Sequence, residues 1–261
     1  MSGATEATGG ETIVLLHGWG MHGGIWSELL PGLAGYEQVL TPDLPGHGGA
    51  PQPADGFDLD ACADLMATAI PPASTVLGWS LGAMVAIAIA ARRPDRVRRL
   101  VLVSATPKFV AGEDWPWGLE RAVFAGFARS LAGDYVRTLR NFLTLQIRGS
   151  DTPQPALRRL RDALFERGEP DEGALADGLA ILGEADLRGL LPGLTMPVRV
   201  IAGERDTLVP PEASRRLSDA LPRSAFLTIP GAAHAPFLSH RDEFLAALSA
   251  EMPAVAARVG R

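Results

Sequence analysis

Short, mostly aliphatic runs punctuate the chain at 12–16 (TIVLL), 37–41, 74–77, 100–103, 198–202 and 225–229. Most are closed by Gly, Pro or Asp, and their length and Val/Ile/Leu content predict β-strands. They are nearly continuously apolar rather than alternating, as strands buried on both faces are, so the pattern predicts a mostly parallel sheet with helices on either side. The stretch 83–92 (AMVAIAIAAR) predicts a helix apolar on almost every side, stopped by Pro94. A last helix is expected over 241–251.

Between 104 and 198 the pattern changes. No strand signal appears, and amphipathic helical segments carry Trp115, Trp117, Phe124, Phe127, Phe142 and Phe165 among many arginines. This predicts an α/β fold whose core is formed by 1–105 and 187–261, with a helical cap over 106–186 inserted between two core strands. A length of 261 residues suits one such capped domain.

Charge modifies this picture locally. The net charge is −6, which disfavours nucleic acid as a partner of the whole molecule. From 121 to 167, however, nine arginines face only Asp134, Asp151, Asp162 and Glu166, a local balance of +5 that leaves −11 elsewhere. That segment therefore suits an acidic partner. The single Cys62 lies in an apolar run and reads as a packed residue, so no disulfide is expected. Residues 1–11 lack the basic and apolar regions of a secretory signal, and the apolar 81–91 is too short to cross a bilayer. A cytoplasmic protein acting as a monomer, with no membrane association, is expected.

The candidate chemistry lies where the predicted strands end. Gly78-Trp79-Ser80-Leu81-Gly82 fits G-x-S-x-G between a strand and a very apolar helix, the setting a nucleophile elbow needs. A serine hydroxyl is a weak nucleophile at neutral pH and needs an adjacent base. His234, in the small-residue loop after the last strand, is the candidate. Asp206, after the preceding strand, can fix the histidine tautomer and stabilise the imidazolium. The order Ser, Asp, His is that of α/β-hydrolase enzymes. Glu204, two residues earlier, is the rival acid. The amides of Leu81 and Trp19 are candidate oxyanion donors. His17 and His47 read as structural, and His22 and His240 have no supporting constellation. The scattered histidines and lone cysteine give no metal site, and no G-x-G-x-x-G supports a nucleotide cofactor, so no cofactor is expected.

The set LLHGWG (15–20), PDLPGHG (42–48), GWSLGA (78–83), FLTLQ (142–146), AILGEADLRGLLPGLTMP (180–197), GERDTLVP (203–210) and GAAHAPFLSH (231–240) resembles the pimeloyl-acyl-carrier-protein methyl ester esterases of bacterial biotin synthesis. The resemblance spans about 12–248. It implies a catalytic Ser80, Asp206 and His234, and substrate contacts from Trp19, Leu81, His234 and the segment Phe142, Leu143, Thr144, Leu145 and Gln146. It further implies that cap arginines hold an acidic acyl-carrier protein. Here these are Arg137 and Arg158, joined by Arg140, Arg159 and Arg161, while Asn141 and Gln154 stand where further arginines are expected. A general carboxylesterase or a capped carbon–carbon hydrolase would use the same machinery. A hydrolase-like binding protein without turnover is the reading an intact triad argues against.

Overall fold

A computed structural model describes residues 10–164 and 166–250. Six strands form one sheet: β1 (Thr12–Leu16), β2 (Gln38–Leu40), β3 (Ser74–Trp79), β4 (Val97–Val103), β5 (Val198–Gly203) and β6 (Ser224–Ile229). Their spatial order is β2-β1-β3-β4-β5-β6, and every neighbouring pair is parallel. All residues of β3 and β5 are buried, including Ser74, Thr75 and Arg199, as expected of mostly apolar strands covered on both faces.

Helix α1 (Leu59–Thr68) and helix α2 (Leu81–Arg92) pack together, and α2 lies on β3 and β4. Helix α2 is buried from Leu81 to Ala90, which is why it is apolar all round. Four further helices lie between β4 and β5: α3 (Arg121–Gly133), α4 (Tyr135–Gln146), α5 (Pro153–Leu164) and α6 (Glu172–Glu184). The chain returns through β5, α7 (Pro211–Asp219) and β6, then α8 (Pro236–Ser239) and α9 (Arg241–Ser249).

Two sequence expectations need correction. The inserted region is not helical from its start: before α3 an irregular stretch is pinned by isolated bridges, Val110 to Leu119, Gly112 to Trp115 and Lys108 to Asp186. Strand β4 begins at Val97 rather than at 100, because the charged Arg98 and Arg99 hide the start of the run. The expected end of the last helix at 251, the side chain of Phe165 and most of the amino-terminal stretch lie outside the described residues.

In this sheet the chain leaves β1 for β2 on one side and then crosses to β3 on the other. Such a switch of direction opens a crevice beyond the carboxyl ends of the strands, where open α/β sheets bind their ligands. The loops after β1, β3, β5 and β6 all emerge at that edge.

Candidate active site

Ser80 stands between β3 and α2 with φ 57° and ψ −117°, a conformation costly for a residue with a side chain. The surroundings impose it. A Cβ added to Gly78 would lie 2.3 Å from the carbonyl oxygen of Gly82, and one added to Gly82 would lie 2.4 Å from that of Leu16. Only glycine lets β1, β3 and the start of α2 approach this closely. The Ser80 amide donates to Val103 O at 3.1 Å, which fixes the turn to β4. The first intrahelical bonds of α2 come from Ala83 and Met84 to Ser80 O, so the Leu81 amide opens the helix without an intrahelical partner.

Asp206 and His234 are 4% and 1% exposed. His234 Nδ1 donates to Asp206 Oδ2 at 2.8 Å. The other carboxylate oxygen accepts the amides of Leu208 at 2.9 Å and Val209 at 3.0 Å. The loop geometry therefore fixes the carboxylate, and the carboxylate fixes the ring. Trp79, next to the serine, donates from Nε1 to His234 O at 2.8 Å and sets its ring 5.7 Å from the imidazole. That joins the elbow to the histidine loop. Among the described residues Nε2 of His234 and the Ser80 hydroxyl carry no hydrogen bond, so the link between them belongs to the proposal below. The rival Glu204 turns elsewhere: its Oε2 accepts the Gly231 amide at 2.9 Å.

The loop after β1 supplies the other wall. Gly18 lies against Trp79 and Ser80, with a built Cβ 3.4 Å from Ser80 Cβ. Trp19 is buried and donates from Nε1 to Leu175 O of α6 at 2.9 Å. Its ring meets Phe127 and Phe142 edge-on, with centroids 5.4 and 5.1 Å away. His17 donates from Nδ1 to Gly18 O and accepts the Leu44 amide on Nε2. Burial pushes both the His17 and His47 imidazoles below the ordinary histidine range, so both are neutral braces. His22 donates to Ala163 O and accepts the Gly24 amide, tying this loop to α5.

A cavity of about 150 Å³ opens under the insertion. Of the expected binding residues, Trp19, Phe142 and Leu145 line it; Phe109, Phe124, Phe127, Leu179, Leu182 and Leu208 complete its apolar wall. Thr144 is exposed on the opposite side of α4, its hydroxyl 3.5 Å from Arg140 O, and does not line the cavity. Leu143 is fully buried and also off the lining. A helix advances 100° per residue, so a run of five consecutive positions cannot share one face. Phe124 with Phe127, and Leu179 with Leu182, carry the i, i+3 spacing that could have revealed them. Gln146 is fully buried, its side-chain amide has no partner among the described residues, and its carbonyl accepts the His234 amide at 3.0 Å. Leu81 packs beside Trp19 against Gly178 of α6. A larger groove of about 830 Å³, between α3 and α6, shares Phe124 and Leu179 with the cavity; Ser80, Asp206 and His234 line neither, and the cavity approaches them through Trp19 of the loop after β1 and Thr207 and Leu208 beside Asp206.

The arginines expected to dock a carrier protein divide. Arg140, Arg158 and Arg161 are exposed. Arg137 is exposed and bonded to Asp134. Arg159 is turned inward instead, pairing with Glu28 and donating to Leu238 O at 3.4 Å, and so tethers α5 to the core. Among the described residues no group of three or more His, Cys, Asp or Glu is arranged to hold a metal, and no helix is long and apolar enough to cross a membrane.

A parallel sheet, a strained serine at its switch point and an Asp–His pair on the neighbouring loops are the frame of an α/β hydrolase. Residues 11–241 match the family model described as the alpha/beta hydrolase fold. Solved structures agree on the fold: an esterase from Exiguobacterium antarcticum superimposes with a TM-score of 0.83 at 21% identity, over 92% of this chain and 90% of that one. A pimeloyl-[acyl-carrier protein] methyl ester esterase from Stenotrophomonas maltophilia is 45% identical over 93% of both chains. Another from Chromobacterium violaceum is 42% identical over 92% of this chain and 93% of its own. The chain belongs to this family of α/β-hydrolase esterases.

Proposed function

We infer that this chain hydrolyses the methyl ester of a pimeloyl group carried on acyl-carrier protein, freeing the distal carboxylate for biotin synthesis. The observation that carries the reading is the buried His234–Asp206 bond at the strand edge that also presents Ser80. With Nδ1 committed to the carboxylate, Nε2 is the nitrogen left to take the serine proton. Ser80 Oγ attacks the ester carbonyl carbon while Nε2 accepts its proton. The oxyanion is met by the amides of Leu81, unclaimed at the start of α2, and Trp19. Collapse expels methoxide, which His234 protonates to methanol. The same histidine then deprotonates a water that cleaves the acyl-enzyme, restoring Ser80 and releasing the carboxylate.

The insertion, residues 106–186, acts as the cap. The cavity beneath it receives the acyl chain between Trp19, Phe142 and the leucines of α6, beside Leu81. Burying the five methylenes of a pimeloyl chain contributes roughly 4 kcal/mol at about 0.8 kcal/mol each. Gln146 remains a binding residue because its buried amide is free to meet a polar group of the substrate. Arg137, Arg140, Arg158 and Arg161, exposed on α4 and α5, form the surface for the acidic carrier, and the enzyme works as a cytoplasmic monomer.

The test compares kcat/KM for pimeloyl-carrier methyl ester with that for free methyl esters. A clear preference for the carried form is expected, together with growth of a biotin-requiring bacterial strain lacking its own esterase. Equal rates on both forms and no growth would leave a general carboxylesterase.

A further inference from the structure

The cavity wall is apolar except for Arg148 and Thr207, and Arg148 supplies its only charge. Arg148 is exposed, as is Val123, another residue of the wall, so the cavity reaches solvent at both. Among the described residues the Arg148 guanidinium has neither a hydrogen bond nor an ion pair, unlike neighbouring Arg205, which is bonded to Gly149 O and Asp151. An arginine spends five donors in a planar fork, and one placed unpaired at the mouth of an apolar slot is suited to oxygen acceptors arriving on a ligand.

Its distance from the chemistry is bounded by the chain. Gln146, two residues earlier, gives its carbonyl to the His234 amide. Arg148 is therefore anchored within two residues of the histidine loop, a span of at most about 7 Å of backbone. In a seven-carbon diacid, six bonds separate the two carboxyl carbons, as many as in two residues of extended chain, so they too lie about 7 Å apart. The seven-carbon chain thus matches in length the span from Arg148 to the residue bonded to the histidine loop, and Arg148 itself lines the cavity proposed to hold that chain.

We propose that Arg148 is a specificity-determining residue that reads an acceptor oxygen on the far carboxyl carbon of the acyl chain. That oxygen belongs either to the thioester carbonyl of a carrier-bound chain or to the carboxylate of a free half-ester. A carboxylate accepts the guanidinium fork in two parallel bonds, and a carbonyl accepts one. The apolar wall rewards length, and the arginine rewards a polar end at that length. The inference rests on the cavity being the acyl site of the proposed function.

The experiment uses three esters with the same reacting end: monomethyl pimelate, dimethyl pimelate and methyl heptanoate. It measures kcat/KM for the full chain and for Arg148→Leu and Arg148→Lys, each checked by thermal melting. The ratio of monomethyl pimelate to methyl heptanoate is expected to fall roughly three- to five-fold in Arg148→Leu, the scale of a solvated charged contact, and to be partly restored in Arg148→Lys. A fall confined to monomethyl pimelate assigns the reading to the carboxylate, and a parallel fall for dimethyl pimelate extends it to a carbonyl. Unchanged ratios in Arg148→Leu overturn the proposal. Failure of the wild-type chain on the carrier-bound methyl ester would instead sink the proposed function, and the ratios on free esters would still be readable.

Discussion

Replacing Asp206 with Asn changes one atom, and the structure dictates its consequence. Oδ1 of Asp206 receives two backbone amides, from Leu208 and Val209. An asparagine must keep its carbonyl oxygen there, because turning the amide group round would face NH2 against two buried donors. Leaving those two unmet costs about 1–3 kcal/mol each. The NH2 is then left facing His234 Nδ1, where the wild-type carboxylate oxygen accepted a proton at 2.8 Å. The ring answers by moving its proton to Nε2, which can no longer take one from Ser80. A wrong tautomer of this kind lowers kcat by about 10⁴-fold, or roughly 5.5 kcal/mol of barrier. The assay is steady-state hydrolysis of p-nitrophenyl butyrate, with urea unfolding to show that the variant folds. Glu204→Gln is the companion, because Glu204 holds only the Gly231 amide and its glutamine can still accept it; less than ten-fold loss is expected. Asp206→Asn activity within ten-fold of wild type, or an equal loss in Glu204→Gln, would refute the assignment of the acid.

Four further outcomes follow from the same geometry. Arg137→Glu with Arg158→Glu should lower kcat/KM on the carrier-bound ester by ten-fold or more while sparing free methyl esters; equal loss on both would remove these arginines from docking. Gly82→Ala forces a Cβ against the Leu16 and His17 carbonyls, so urea unfolding should show a loss of about 2 kcal/mol and turnover should fall as the Leu81 amide shifts. Folding should weaken on acidification: His17 and His47 are neutral when folded and take protons in the ordinary range, near 6.5, when unfolded. Their contribution is thus complete above that pH and declines below it, by about 1.4 kcal/mol per pH unit from His17 alone, so a melting temperature constant from pH 7 to 5 would contradict the linkage. Cys62, whose thiol burial pushes up to about 12, should resist disulfide reagents at pH 8 until the chain is unfolded.

The sheet was legible because unbroken aliphatic runs have few alternatives, and the errors have local causes. Strand β3 continues through Gly78 and Trp79, although glycine ordinarily signals a turn; Gly78 pairs in register with Leu102, and its missing side chain serves the approach of α2. The stretch before α3 gave no strand signal because isolated bridges hold single residue pairs, with no period to detect. In the site, Ser80, Asp206 and His234 could be placed from the G-x-S-x-G motif, the strand ends they follow and the order Ser, Asp, His. The cavity could not, because its wall is assembled from α3, α4, α6 and the loop after β1, and contiguous motifs do not reveal which faces of separate helices meet. That is how Thr144 was expected inside and Phe124 was not.

What links the insertion to the chemistry is a short connector, residues 147–152, between α4 and α5. The end of α4 accepts the His234 amide through Gln146 O, and Asp151 donates its amide to Gly231 O at 3.0 Å. Arg205, the residue before Asp206, reaches back to Gly149 O at 3.2 Å and to Asp151. Thr152 donates to Ser239 O just beyond the histidine loop. The loops that carry Asp206 and His234 are therefore bonded to the same six residues. The side-chain pair is half-exposed and contributes little by itself, whereas the backbone bonds are made only when the connector is in place. The connector thus ties the insertion to the loops of both Asp206 and His234, which gives the insertion a role beyond walling a cavity.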